Sequence, residues 1–116
     1  MKHLFVPYEI AVKLKELGFD ELCMAIYFRD EFRFIGINSL KETNSQINNI
    51  DFTDSPLYQQ VIDWFRVKHD THIWITGISI FEYTIATPEQ IIPENDGSED
   101  YYETLTEAIE VALTLI

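Results

Sequence analysis

The densest group of chemistry-bearing residues is His69-Asp70-Thr71-His72, two imidazoles and a carboxylate within four positions. Such a set binds zinc or a similar cation when a third or fourth ligand converges on it from elsewhere in the chain. A structural reading asks for less. His69 suits the last turn of a helix, where a cation opposes the partial negative charge of the C-terminus, with Asp70 in the following turn and His72 at the start of a strand. The structural reading is the expectation, with no metal and no cofactor. Asp30-Glu31 and Glu99-Asp100 are carboxylate pairs of the kind used in acid–base work, but sequence neighbours in loops seldom share one site geometry. Tyr58, Trp64 and Tyr101-Tyr102 could stack a base or a sugar, although aromatics beside helical apolar stripes usually pack the core and its rim. No phosphate-binding glycine loop or nucleophile motif is present, so no catalytic residue is assigned. Cys23, the only cysteine, lies in an apolar run and reads as a buried small hydrophobe.

The elements that must position these residues belong to a chain of 116 residues, 47% hydrophobic and 14% aromatic, which predicts one globular domain over residues 1–116. The single cysteine forms no internal disulfide and points to a reducing, cytoplasmic setting. The N-terminus lacks the apolar core of a signal peptide, and no stretch is long and apolar enough for a membrane span. The formal net charge is −12 and is unevenly distributed. All eight Lys and Arg lie at or before Lys68, among ten acids, for a net of −2; residues 69–116 hold ten acids and no Lys or Arg, for a net of −10. That field repels nucleic-acid backbone and anionic membrane, and it favours a basic protein partner. Glu94, Asp96, Glu99, Asp100 and Glu103 are the expected interaction surface, while self-association stays open.

Residues 54–69 carry the clearest helix signal: Asp54 or Ser55 to cap it, Pro56 at the first position, Leu57, Val61, Trp64 and Lys68 on one stripe, and Arg66, Lys68 and His69 in the last turn. A first helix over about 7–17 buries Ile10, Ala11, Leu14 and Leu17 and stops at Gly18, with Phe19 folding back onto its last turn. Leu22–Phe28 reads as a central strand paired with 32–35, and Ile47–Phe52 offers room for a short edge strand. Residues 71–76 and 78–87 form a second hairpin around Gly77. A capping box at Thr104 and Glu107 opens the last helix. The predicted fold is α+β, in the order α-ββ-α-ββ-α, with an antiparallel sheet of about four strands covered by three helices. Trp64, Phe65, Leu14, Ile26 and Ile109 are expected in its core.

Three segments together resemble a family of small uncharacterised proteins from Bacteroidetes bacteria and the phages and mobile elements that live in them. They are Val6-Pro7-Tyr8-Glu9 with 14–21, then Pro56–Arg66 with Lys68-His69, then Tyr101-Tyr102-Glu103 with Ala108-Ile109-Glu110 and Ala112-Leu113. The resemblance implies a cytosolic bacterial or phage setting and carries over no catalytic or binding residue. Two readings of function follow: a non-enzymatic interaction protein that meets a basic partner with its acidic half, or a small enzyme or ligand-binding domain with a site assembled from scattered His and acidic residues. The first is preferred.

Overall fold

In the computed structural model, the described residues are 2–36, 43–47, 49–93 and 97–116. The chain is α+β and divides into two compact units, Met1–Gln60 and Val61–Ile116. Each has its own three-stranded antiparallel sheet, where the sequence predicts one sheet of about four strands.

In the first unit, a 3-10 turn at Lys2–Leu4 leads to α1 (Tyr8–Glu16). Ile10, Ala11 and Leu14 are buried on one stripe of α1, while Leu17, just past its end, is exposed, contrary to expectation. The stop works as predicted. Gly18 takes a φ of 91°, its N–H donates to the Lys15 carbonyl at 3.2 Å, and the Phe19 N–H reaches the Leu14 carbonyl at 2.8 Å. These paired bonds satisfy carbonyls that the helix end would leave free, and they send the Phe19 ring into the core.

β1 (Ala25–Phe28) is the central strand, flanked by β2 (Glu31–Phe34) and β3 (Phe52–Ser55). The β1–β2 hairpin closes through Arg29-Asp30 without a glycine, because Arg29 itself takes a φ of 55°. Ala25 and Tyr27 are buried, while Ile26 is only half-buried, so the core face of β1 is the one opposite to that expected. This is the period-two rule at work: a continuous apolar run does not announce which face is inside.

The largest correction concerns the start of the central helix. Asp54, Ser55 and Pro56 do not open it. Asp54 pairs with Ile26 and Ser55 with Ala25 in β3, and α3 (Tyr58–His69) begins afterwards. The Gln60 Oε1 accepts from the Leu57 N–H at 3.0 Å, so a side chain three residues into the turn caps the helix start in place of Asp54. Strand pairing with β1 outweighs a local capping signal that was chemically sound. A four-residue helix, α2 (Asn44–Ile47), precedes β3, and the edge strand expected at 47–52 lies instead at Phe52–Ser55. Val61, Trp64 and Phe65 of α3 are buried as expected, whereas Lys68 is exposed.

In the second unit, β4 (His72–Thr76) and β5 (Glu82–Ala86) form the predicted hairpin, and β6 (Ile91–Pro93), a third strand beyond that hairpin, extends it in the order β4-β5-β6. Gly77 has a φ of 120°, and a Cβ there would fall on the Ile80 carbonyl oxygen, so this turn requires glycine. Ile73, Tyr83 and Ile85 are buried on the sheet face toward α4 (Tyr101–Leu113), which packs on β4 and β5. α4 buries Leu105, Ala108, Ile109, Ala112 and Leu113. It starts one turn before the predicted capping box. Asp100 is the N-cap, its carboxylate accepting from Tyr102 and Glu103 N–H at 2.9 and 3.1 Å, and the Thr104 hydroxyl turns back to the Asp100 and Phe81 carbonyls.

Candidate functional site

The candidate ligands His69, Asp70 and His72 are held by local contacts. His72 Nε2 lies 3.1 Å from Asp70 Oδ1, and Asp70 takes a φ of 48° that lets the chain leave α3 and enter β4 at once. His69 packs its ring on Trp64, centroid to centroid 4.6 Å. Among the described residues, no group of three His, Cys, Asp or Glu is placed to hold a metal ion. Of the expected acidic surface, Glu94 and Asp96 lie outside the described residues. Glu99 and Glu103 are exposed, and Asp100 is engaged as the α4 cap.

Strand register builds a different surface. On β4, Ile73 faces α4, so His72, Trp74 and Thr76 face the other way. Trp74 stands opposite Thr84, which stands opposite Pro93; His72 stands opposite Ala86, which stands opposite Ile91; Thr76 pairs with Glu82. The outward face is thus a short grid with an indole, an isoleucine and a proline at its apolar points. Trp74 is 45% exposed and Ile91 69%. At the hairpin end, Ile78 and Ile80 are also exposed, with Ile80 held against Gly97. The rim is acidic: Asp70, Glu82 and Glu89 are exposed around this face, in a segment with no Lys or Arg after Lys68. A face of this kind can seat an apolar anchor while its rim attracts cations. The sequence already displayed the alternation that put Trp74 outside; what it lacked was the third strand that makes an area of it.

The first unit holds a second unusual centre. Asp54 is 1% exposed, and neither carboxylate oxygen has a hydrogen bond among the described residues; the adjacent Ser55 hydroxyl is likewise without a partner. Asp54 is the only buried acid among the described residues. Burial pushes its carboxyl up to about 7, helped by the charge of Asp20 and opposed by Lys15. Asn44 bridges above it, its amide donating to the Phe19 carbonyl at 3.0 Å and its Oδ1 accepting from the Asp54 N–H at 2.9 Å. Asp20 holds the next residue, accepting from Ser45 N–H at 2.8 Å and Ser45 Oγ at 2.6 Å, and those bonds hold its carboxyl below the usual range. Lys15 donates to the Asn49 and Phe52 carbonyls at 3.0 and 2.6 Å. Cavities of about 350 and 430 Å³ are both lined by Lys15, one with Phe19 and Asn44, the other with Tyr8, Ile50 and Thr53. The Cys23 thiol is buried, donates to the Glu21 carbonyl at 3.4 Å, and is pushed up by burial and then by Asp54 and Glu21, so it is an inert thiol rather than a nucleophile. Sequence reasoning missed this centre because Asp54-Ser55-Pro56 looks like a helix start.

Among the described residues no helix is long and apolar enough to cross a membrane. Comparison with known proteins finds no matching family model, no matching curated protein and no matching solved structure.

Proposed function

We propose that this chain is a non-enzymatic cytoplasmic interaction protein, in the bacterial or phage setting that its resemblance implies, and that it binds a basic protein partner. The partner meets the outward face of β4, β5 and β6. The observation that carries this reading is the exposed Trp74 and Ile91 on a regular sheet face whose rim is acidic and free of Lys and Arg from residue 69 onward. Interfaces draw their energy from a few aromatic and aliphatic anchors, and opposite charge around them raises the association rate and selects the partner. Nucleic acid and anionic membrane are disfavoured by the same charge.

The enzyme or small-ligand reading draws less support from the His and acidic residues of 69–72, which are held by local contacts: His72 by Asp70 and His69 by Trp64. The test is affinity capture from a host lysate at low and moderate salt with the native chain and with Trp74→Ser/Ile91→Ser. A basic protein retained by the native chain, weakened by salt and lost with the double variant is the expected result. Equal retention by both chains would overturn the assignment of this face, and retention of nucleic acid alone would overturn the partner class.

A further inference from the structure

Asp54 lies where three polar ties converge. Asn44 of α2 joins the Phe19 carbonyl to the Asp54 N–H, Asp20 holds Ser45, and Lys15 of α1 holds the Asn49 and Phe52 carbonyls. Together they clasp α2 to β3 and to the end of α1. Beneath the clasp, the buried carboxyl of Asp54 has no hydrogen bond among the described residues to compensate a negative charge. A buried acid without such compensation is tolerated when protonated and costly when ionised. We propose that Asp54 makes the clasp proton-operated: α2 stays docked on β3 while the carboxyl is protonated, and it is released more readily as the proton is lost.

The groups facing Asp54 support this direction. Lys15 from α1 is the cation, but its ammonium is committed to two backbone carbonyls. Asp20, from the segment after α1, adds like charge that favours the protonated form of Asp54. Cys23 follows in the same segment, Asn44 and Ser45 come from α2 uncharged, and Ile26 is the apolar neighbour across β1. Of the three shifted groups besides Asp54, Asp20 is held below the usual carboxylate range, while Cys23 and Tyr27 are pushed above the usual thiol and phenol ranges. None of the three changes charge between pH 5 and 8, so among the shifted groups a slope in that window belongs to Asp54.

The sign follows from linkage. Opening the clasp returns the carboxyl from about 7 toward its ordinary value of 3.8, so opening releases a proton between those values. The closed form therefore holds its full advantage below about pH 4, loses it progressively as pH rises, and has none of it left above about pH 7.

The experiment is amide hydrogen exchange of the full chain from pH 5 to 8.5, corrected for intrinsic exchange, reading the Asp54 N–H and the segments 43–47 and 52–55, with Asp54→Asn alongside. The opening equilibrium is expected to rise about tenfold per pH unit from pH 5 to about 7 and to level off above it. Asp54→Asn should give a flat profile. Carbon-13 NMR titration of the Asp54 carboxyl in the native chain provides an independent reading that does not depend on the variant folding. A carboxyl titrating at an ordinary value near 4, or an opening equilibrium without pH dependence in the native chain, would overturn the proposal.

Discussion

Asn44→Ala tests the clasp by removing the side chain at its centre. The Asn44 amide makes two buried hydrogen bonds, to the Phe19 carbonyl and from the Asp54 N–H. Deleting it strands one acceptor and one donor of the main chain, and each such group costs about 1–3 kcal/mol. Alanine recovers a few tenths of a kcal/mol through better helix propensity, leaving a loss of roughly 3 kcal/mol. Ser45→Ala is the internal control. The Ser45 hydroxyl bond to Asp20 is shorter still, at 2.6 Å, but exposed, so water replaces it and the loss is less than about 1 kcal/mol. Urea unfolding followed by far-ultraviolet circular dichroism measures both. An Asn44→Ala midpoint equal to that of the native chain, or a Ser45→Ala loss as large as that of Asn44→Ala, would refute the reasoning.

Trp64 is only 4% exposed and packs edge-on against Phe65 at 5.2 Å, so Trp64→Ala should cost about 3–5 kcal/mol, whereas Trp74→Ala on the open face should cost less than about 1 kcal/mol; an unchanged denaturation midpoint for Trp64→Ala would contradict this. Asp100→Ala removes the carboxylate that accepts two N–H groups at the start of α4 and should lower stability by about 1 kcal/mol, while Thr104→Val should leave the helix start in place; hydrogen exchange at Tyr102 and Glu103 reports the difference.

Much of the local structure was legible because its signals are local. Gly18 and Phe19 form the expected helix stop, Gly77 the expected tight turn, and the β-branched and aromatic residues on either side of it the expected hairpin. The misreadings fall where two sound signals competed. Asp54-Ser55-Pro56 is a good helix start, but β1 offered those residues a strand partner, and long-range pairing won. Asp100 and Thr104 are both competent caps, and the contact of Thr104 with the Phe81 carbonyl favours the earlier start. Ile26 and Ala25 are neighbours in a continuous apolar run, where composition cannot choose the buried face. The candidate surfaces divide the same way. Alternation in His72–Thr76 displays Trp74, but the area it belongs to depends on β6 joining β5, a pairing with no local signature. The buried Asp54 arises entirely from tertiary placement.

The central claim is that the outward face of β4, β5 and β6 seats a basic partner around Trp74. The chain has two tryptophans, so Trp64→Phe leaves Trp74 as the sole reporter, half-exposed before binding. Titrating the captured basic protein into this variant and following emission and acrylamide quenching measures the contact itself. The expected result is a blue shift with quenching reduced several-fold at saturation, both reversed by salt. Saturating binding with Trp74 emission and quenching unchanged would contradict the account.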